Sequence, residues 1–245
     1  MVAYILGYFN CILIFIFLEG ITHIFFDLDR TLWDFDANVD ITLREMFYRY
    51  GLDKFIDKPE TFIAEYQFQN NRYWDLYIDG KITKKHLRTV RYQKTLEVFG
   101  IKNKPMAFQM GMDYINLSPL QKAVFPDTHQ TLDYLKEKYT LHIITNGFEE
   151  VQTVKVKSAG IDHYFANLIT SEKAGALKPH RKIFDYSMKI SGATPAQCLM
   201  VGDEPEKDVK GATDVGMQAV YFNPAGLTLD GVKSIKNLKE LKEFL

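Results

Sequence analysis

Two aspartates, Asp27 and Asp29, stand two residues apart directly after the apolar run Ile24-Phe25-Phe26. The run reads as a buried strand, and carboxylates at the end of a buried strand are costly unless they have a partner or a task. In open α/β sheets the ligand crevice lies beyond the carboxyl ends of the strands. Two carboxylates there can hold a hard cation and also supply a nucleophile and a general acid. Residues two apart on an extended chain point the same way, so both would face one ligand. A capped strand end with a solvated acidic pair is the alternative that this run alone leaves open.

Three later segments carry matching parts. The apolar run from Leu141 to Ile144 ends in Thr145-Asn146-Gly147, where a hydroxyl and an amide can donate to a phosphate oxygen and a glycine admits backbone N–H groups. In Ala176-Leu177-Lys178-Pro179 the proline biases Lys178 away from helix, onto a loop entering the helix that holds Ile183, Phe184 and Tyr186. Leu199-Met200-Val201 leads into Gly202-Asp203, with Asp208 five residues further on. Each piece also has an ordinary reading: a turn, a solvated lysine, or an acidic helix start favoured by the helix dipole. Their order, and their shared place at strand ends or the loops that follow, argues against coincidence.

Taken together, Asp-x-Asp-x-Thr, strand–Thr, Lys-Pro and Gly-Asp-x4-Asp resemble the haloacid dehalogenase superfamily of hydrolases, in its phosphatase branch, from about Thr22 to the C-terminus. The resemblance implies a role for each residue. Asp27 matches the nucleophile that forms an aspartyl-phosphate. Asp29 matches the acid that protonates the leaving oxygen and then activates water. Thr145, with Asn146 beside it, matches the phosphate-binding hydroxyl. Lys178 matches the lysine that neutralises the phosphoryl oxygens and holds the nucleophile. Asp203 matches the carboxylate that binds Mg²⁺ alongside Asp27 and the main-chain carbonyl of Asp29, and Asp208 matches a supporting acidic residue or lysine partner. The dehalogenases of the superfamily expel a halide that needs no proton and lack an acid at the position of Asp29, so its presence favours a phosphatase. A phosphonatase would need a Schiff-base lysine, and nothing singles out Lys81, Lys84 or Lys85.

The chemistry is coherent. Phosphoryl transfer needs positioning and charge neutralisation more than elaborate covalent chemistry. A carboxylate attacking a phosphate dianion meets like charge, which a divalent cation and Lys178 would offset. Asp29 must carry a proton for part of the cycle, and neighbouring acids favour that.

These residues need a scaffold. Strands expected near Leu141–Thr145, Asn167–Thr170, Cys198–Gly202 and Gln218–Phe222 alternate with helical segments, which predicts an α/β fold with a doubly wound, Rossmann-like parallel sheet. More than a hundred residues separate Asp29 from Thr145, far more than one helix needs. Helical periodicity around Thr42–Tyr50, Pro59–Leu76, Lys84–Phe99 and Lys104–Ile115, with breaks at Gly51, Gly80 and Gly100, predicts several helices. This stretch looks like the α-helical cap that the superfamily inserts just after its first strand, which implies a cap over 37–118 in a core of 21–36 and 119–245. Such a cap would exclude water and read the leaving group.

Substrate signals are weaker. Tyr66, Phe68, Tyr73, Trp74 and Tyr77 cluster with Asn70, Asn71 and Arg72, where aromatic faces can stack on a base and an amide can read its edge; an aromatic core stripe explains any one of them equally well. Leu32-Trp33-Asp34-Phe35-Asp36, the Asn71…Trp74…Gly80-Lys81-Ile82 pattern and Ile144-Thr145-Asn146-Gly147-Phe148 look most like the pyrimidine 5′-nucleotidases of the superfamily. That resemblance implies a pyrimidine nucleoside monophosphate as substrate, with Asn71 and Trp74 as substrate-binding residues. Phosphatases of phosphoglycolate or sugar phosphates share the catalytic motifs and are the main rivals. A non-catalytic binding protein on the same scaffold is the alternative of another class, disfavoured because Asp27, Asp29, Thr145, Lys178 and Asp203 are all present.

Composition agrees. The 245 residues are 47% hydrophobic, ample for a large core, and the net charge of -1 without a basic run argues against a nucleic acid polymer as partner. A small phosphomonoester is the expected partner, for a monomer or homodimer. Cys11 and Cys198 are too distant in the chain to suggest a structural disulfide, which points to a reducing cytoplasm, and the six histidines show no metal-binding spacing. Residues 1–20 form an uncharged, apolar extension up to Leu18, marginal in length for a transmembrane helix and without the positive start of a signal peptide. A start of the functional protein near Glu19 is the preferred expectation. A membrane anchor, or an element packed on the core, is the alternative.

Overall fold

Short runs rich in aromatic and β-branched residues, buried along most of their length, suit parallel strands covered on both faces. The computed structural model describes residues 20–245, so the expectations for the apolar N-terminal extension, and Cys11 with it, lie outside the described residues. The chain divides into two units, one comprising the described residues up to Asp34 with Val124–Leu245, the other Phe35–Ala123.

The first unit is built on six strands: β1 (His23–Phe26), β2 (Thr140–Thr145), β3 (Phe165–Thr170), β4 (Cys198–Gly202), β5 (Gln218–Phe222) and β6 (Lys233–Ile235). All neighbouring pairs are parallel, in the order β3-β2-β1-β4-β5-β6. This is the doubly wound order, and it reverses between β1 and β4. The register sets Phe26 opposite Ile143 on one side and Val201 on the other, so β2 and β4 run two residues and one residue past the end of β1. β6, three residues long and too short to show periodicity, was not expected from the sequence. The residues from Phe25, Ile144, Ile169 and Met200 pack with Ile183, Phe184 and Met188 into one core. Cys198 is a buried free thiol, pushed up to about 12 by desolvation.

The second unit contains four helices, α1 (Phe35–Arg49), α2 (Pro59–Ile78), α3 (Lys84–Val98) and α4 (Lys104–Leu117). Thr83 caps α3 by accepting from the His86 amide, Asn103 caps α4 by accepting from the Met106 amide, and Pro59 opens α2 where no helical N–H is needed. Its core gathers Leu43, Phe47, Phe62, Tyr66, Tyr92 and Leu96. Inside this core Arg91 is buried, donating to Asn70 Oδ1 at 2.6 Å and the Leu87 carbonyl at 3.0 Å, with the rings of Tyr66 and Tyr114 within 6 Å. Back in the first unit follow α5 (Thr128–Lys136), α6 (Glu149–Ser158) and α7 (Arg181–Ser191). No described helix is long and apolar enough to cross a membrane.

Candidate active site

The crevice of a doubly wound sheet opens where its strand order reverses, here between β1 and β4, and Asp27 and Asp203 are the residues that follow these two strands. After Asp27 the chain closes a tight loop. The Leu28 carbonyl accepts from the amides of Leu32 and Trp33 at 3.0 and 2.8 Å, and Arg30 adopts the left-handed conformation at φ 64°. This loop carries Asp29 and Thr31, and Thr31 donates its hydroxyl to Asp203 Oδ1 at 3.0 Å.

Lys178 is the centre of the site. It is 2% exposed, and its ammonium faces three acceptors: Asp27 Oδ1 and Asp208 Oδ1, both at 2.6 Å, and the Ile144 carbonyl at 3.0 Å. Three acceptors match the three protons of an ammonium group, although the approach to Asp208 is an ion pair rather than a well-angled hydrogen bond. Burial favours the neutral amine, yet Asp208 and Asp27 outweigh it and raise the lysine above its ordinary range. Asn146 fixes the loop: its amide donates to the Lys178 carbonyl at 3.0 Å and accepts from the Lys178 amide at 2.6 Å. The Asn146 side chain therefore straps the lysine loop to the end of β2. Asp208 is fully buried, and its Oδ2 accepts from the Glu204 amide at 3.1 Å. Gly202 makes room for it, since a Cβ on Gly202 would overlap the Asp208 carboxylate.

One ammonium faces more negative charge than it can balance. Carboxylate oxygens of Asp27, Asp203 and Asp208 all lie within 4.8 Å of one another. Burial pushes the Asp27 carboxyl well above its ordinary value, Lys178 opposing and Asp208 and Asp203 adding to the rise. Burial followed by the charges of Asp208 and Glu204 lifts Asp203 to about 7. A set of hard oxygen donors with an excess of buried negative charge fits a divalent cation such as Mg²⁺.

Asp29 faces a different neighbourhood. Gln152 Nε2 donates to Asp29 Oδ2 at 2.9 Å and to Thr145 Oγ1 at 2.7 Å, and Lys155 forms an ion pair with Asp29 Oδ1. Lys155 also lies over the Trp33 ring, 4.0 Å from its centroid. Where the sequence predicts acids around Asp29, the structure gives it an amide and a lysine from α6. Neither Gln152 nor Lys155 stood out in the sequence, where Gln-x-x-Lys on a helix reads as a solvated face. The one usable signal was Gly147, at which a Cβ would collide with the Gln152 side chain.

Asp27, Asp29, Thr145, Asn146, Lys178, Asp203 and Asp208 thus come together in the α/β unit. Asn71 and Trp74 belong to the helical unit: Asn71 is exposed on α2 and accepts from the Asn70 amide at 3.3 Å, and Trp74 is half-buried with its ring edge-on to Tyr77. Of the aromatic cluster, Tyr66 and Tyr73 are buried, whereas Phe68 is 61% exposed.

Comparison with known proteins agrees with this picture. Residues 21–216 match the family model of the haloacid dehalogenase-like hydrolases. The chain is 32% identical to the pyrimidine 5′-nucleotidase YjjG of Escherichia coli, covering 91% of this chain and 96% of that protein. It is 30% identical to the glyceraldehyde 3-phosphate phosphatase of Methanothermobacter thermautotrophicus, covering 89% and 98%. The magnesium-bound crystal structure of the HAD-hydrolase YfnB of Bacillus subtilis superposes with a TM-score of 0.83 at 24% identity, covering 93% of this chain and 99% of that one.

Proposed function

The chain belongs to the haloacid dehalogenase-like hydrolases, and from that premise we propose that it is a Mg²⁺-dependent phosphatase acting through an aspartyl-phosphate, with a pyrimidine nucleoside 5′-monophosphate as substrate. The observation that carries the reading is the buried Lys178 ammonium held between Asp27 and Asp208, beside Asp203. This is a site with a nucleophile, a fixed cation and room in its charge balance for a divalent metal.

The residues divide the work as follows. Lys178 occupies Asp27 Oδ1, so Oδ2 is the oxygen that attacks phosphorus. As the Asp27–phosphorus bond forms, the bond to the leaving oxygen breaks and that oxygen takes a proton from Asp29. Water then attacks the aspartyl-phosphate, Asp29 accepts the proton of that water, and the Asp27–phosphorus bond breaks to release phosphate. Thr145 donates its hydroxyl to a phosphoryl oxygen, and the main chain at Asn146 lies beside it. Asp27, Asp203 and the main-chain carbonyl of Asp29 would hold Mg²⁺, with Asp208 in support; a bound Mg²⁺ supplies charge neutralisation at the phosphoryl group. The helical unit is read as the cap that selects the leaving group, with Asn71 and Trp74 as its substrate contacts. Action on a small metabolite in the cytoplasm, by a monomer or homodimer, belongs to the same proposal.

The similarity to a pyrimidine 5′-nucleotidase supports the choice of leaving group. The similarity to a glyceraldehyde 3-phosphate phosphatase at nearly the same identity favours a second reading, a phosphatase of small sugar phosphates. Phosphate release measured with Mg²⁺ over a panel of nucleoside monophosphates and sugar phosphates, with an EDTA control, separates them. Preference for UMP, dUMP or dTMP is expected. Preference for a triose phosphate replaces the nucleotide with the second reading, and no EDTA-sensitive release from any ester rejects both.

A further inference from the structure

We infer that Gln152 and Lys155, on adjacent turns of one face of α6, are positioning residues that hold the acid–base carboxylate and the phosphate-binding hydroxyl in register. This rests on the phosphatase reading above and adds two residues that it does not use. Both oxygens of Asp29 are engaged from α6, Oδ1 by Lys155 and Oδ2 by Gln152. A carboxyl group has about four positions for hydrogen bonds, so two remain, one for the proton that passes to the leaving oxygen and one to accept from the attacking water. The same Gln152 amide nitrogen reaches Thr145 Oγ1, which also accepts from the Gly147 amide at 3.1 Å. Two donors fill the two lone pairs of this hydroxyl, so its own proton must point to a third group, which leaves it a donor to an anion.

The orientation of the Gln152 amide follows from chemistry. Reversed, its oxygen would face the Asp29 carboxylate, two acceptors in contact. The orientation has a cost, because Gln152 Oε1 is buried without a hydrogen-bond partner among the described residues. Lys155 is likewise 5% exposed, far from the solvated state its residue type favours, and is kept there by Asp29 and the Trp33 ring. Two buried polar side chains on one helix face, both turned to the same carboxylate, are expensive as packing and useful as a clamp. Because α6 follows β2 directly, it ties the Asp29 loop and the Thr145 end of β2 to one rigid element.

Leaving-group dependence tests the clamp. General acid catalysis matters most for a poor leaving group, and kcat/KM reports steps up to leaving-group departure, before hydrolysis of the aspartyl-phosphate. Lys155→Met keeps the apolar stem over Trp33 and removes the donor; Gln152→Leu removes the bridge. Each is expected to lower kcat/KM for a nucleoside monophosphate by about 100-fold; that for p-nitrophenyl phosphate falls by less than about 5-fold in Lys155→Met and by about 10-fold in Gln152→Leu, which also loses the phosphate contact at Thr145. Lys155→Arg is expected to restore most of the loss. Gln152→Leu, unlike Lys155→Met, should also weaken inhibition by inorganic phosphate, by about 10-fold. Thermal melts identify variants that do not fold, and Gln152→Glu, of the same shape but unable to donate to both partners, then carries the same test. Equal losses on the two esters, or no loss on either, overturn the inference while the phosphatase reading stands. If the unaltered protein releases phosphate from neither ester, the phosphatase reading falls and the clamp falls with it.

Discussion

At the scale of single residues, the site is held by an ammonium that donates to Asp27 and the Ile144 carbonyl and pairs with Asp208. Losing one partner of a buried ion pair leaves an uncompensated charge, which costs several kcal/mol. Lys178→Met should therefore impair both turnover and stability, since it strands Asp27 and Asp208 together. Asp27→Asn is the cleaner probe, being of the same shape and still able to accept from Lys178. We expect turnover at least about 1,000-fold below that of the unaltered protein with an unchanged circular dichroism spectrum; appreciable phosphate release from this variant would remove the covalent mechanism. Gly202→Ala probes the other side of the cluster. Its Cβ would overlap the Asp208 carboxylate, so the variant should lose about 2 kcal/mol or more in urea unfolding. An unaltered midpoint would mean that Asp208 can move aside.

At the scale of elements, β1, β2 and β3 share a line of polar side chains across the sheet. His23 Nδ1 lies 3.0 Å from His142 Nε2, and His142 Nδ1 lies 3.0 Å from the Asn167 amide, with the His142 ring stacked on Phe25. Burial, and then the neighbouring His23, lower His142 to about 4; burial lowers His23 as well. A histidine with a folded value below its unfolded one of about 6.5 is protonated more readily when unfolded, so stability rises with pH between the two values. The contribution is complete above about pH 6.5 and is lost as pH falls towards 4, up to about 3 kcal/mol for this one group. Urea unfolding at pH 7, 5.5 and 4.5 should show the decline, and His142→Phe should flatten it. A decline of the same size in that variant would assign the effect to His23 or to carboxylates held below their ordinary value, such as Asp113, since the raised Asp27 and Asp203 act in the opposite direction.

At the scale of the molecule, the chain consists of two units with separate cores, so unfolding need not be a single two-state event. The acidic cluster lies wholly in the α/β unit. A cation that binds only the folded state stabilises by mass action, by about 2.7 kcal/mol at a hundred times its dissociation constant. Calorimetry with increasing Mg²⁺ should raise the transition of the α/β unit alone, and Asp203→Asn should remove the shift. A shift that survives in Asp203→Asn would place the binding elsewhere. The helical unit offers its own contrast: Arg91 is buried there, and the sites facing it are an amide, a carbonyl and aromatic rings rather than a carboxylate.

Much was legible in the sequence because strand ends advertise themselves. Apolar runs that stop at Asp27, Thr145 and Asp203 gave the strands, their order with intervening helices, and the residues beyond their carboxyl ends; β4 and β5 have the expected bounds, and β2 and β3 begin one and two residues earlier. The helices of the inserted stretch were visible through their periodicity and glycine breaks, although α1 begins at Phe35, seven residues before its expected start. What only the tertiary structure decided is who meets whom. Gln152 and Lys155 lie 123 and 126 residues from Asp29 in the chain, and no periodicity within α6 encodes that meeting. The same holds for Asn146, whose amide binds a backbone 32 residues away, and for Tyr66, for which the sequence left base contact and core open and which packs into the core. Hydrophobic pattern reports which face of an element is buried. The partner across the gap is set by the winding of the sheet, which brings α6, the loop after β1 and the loop before α7 together at the strand ends.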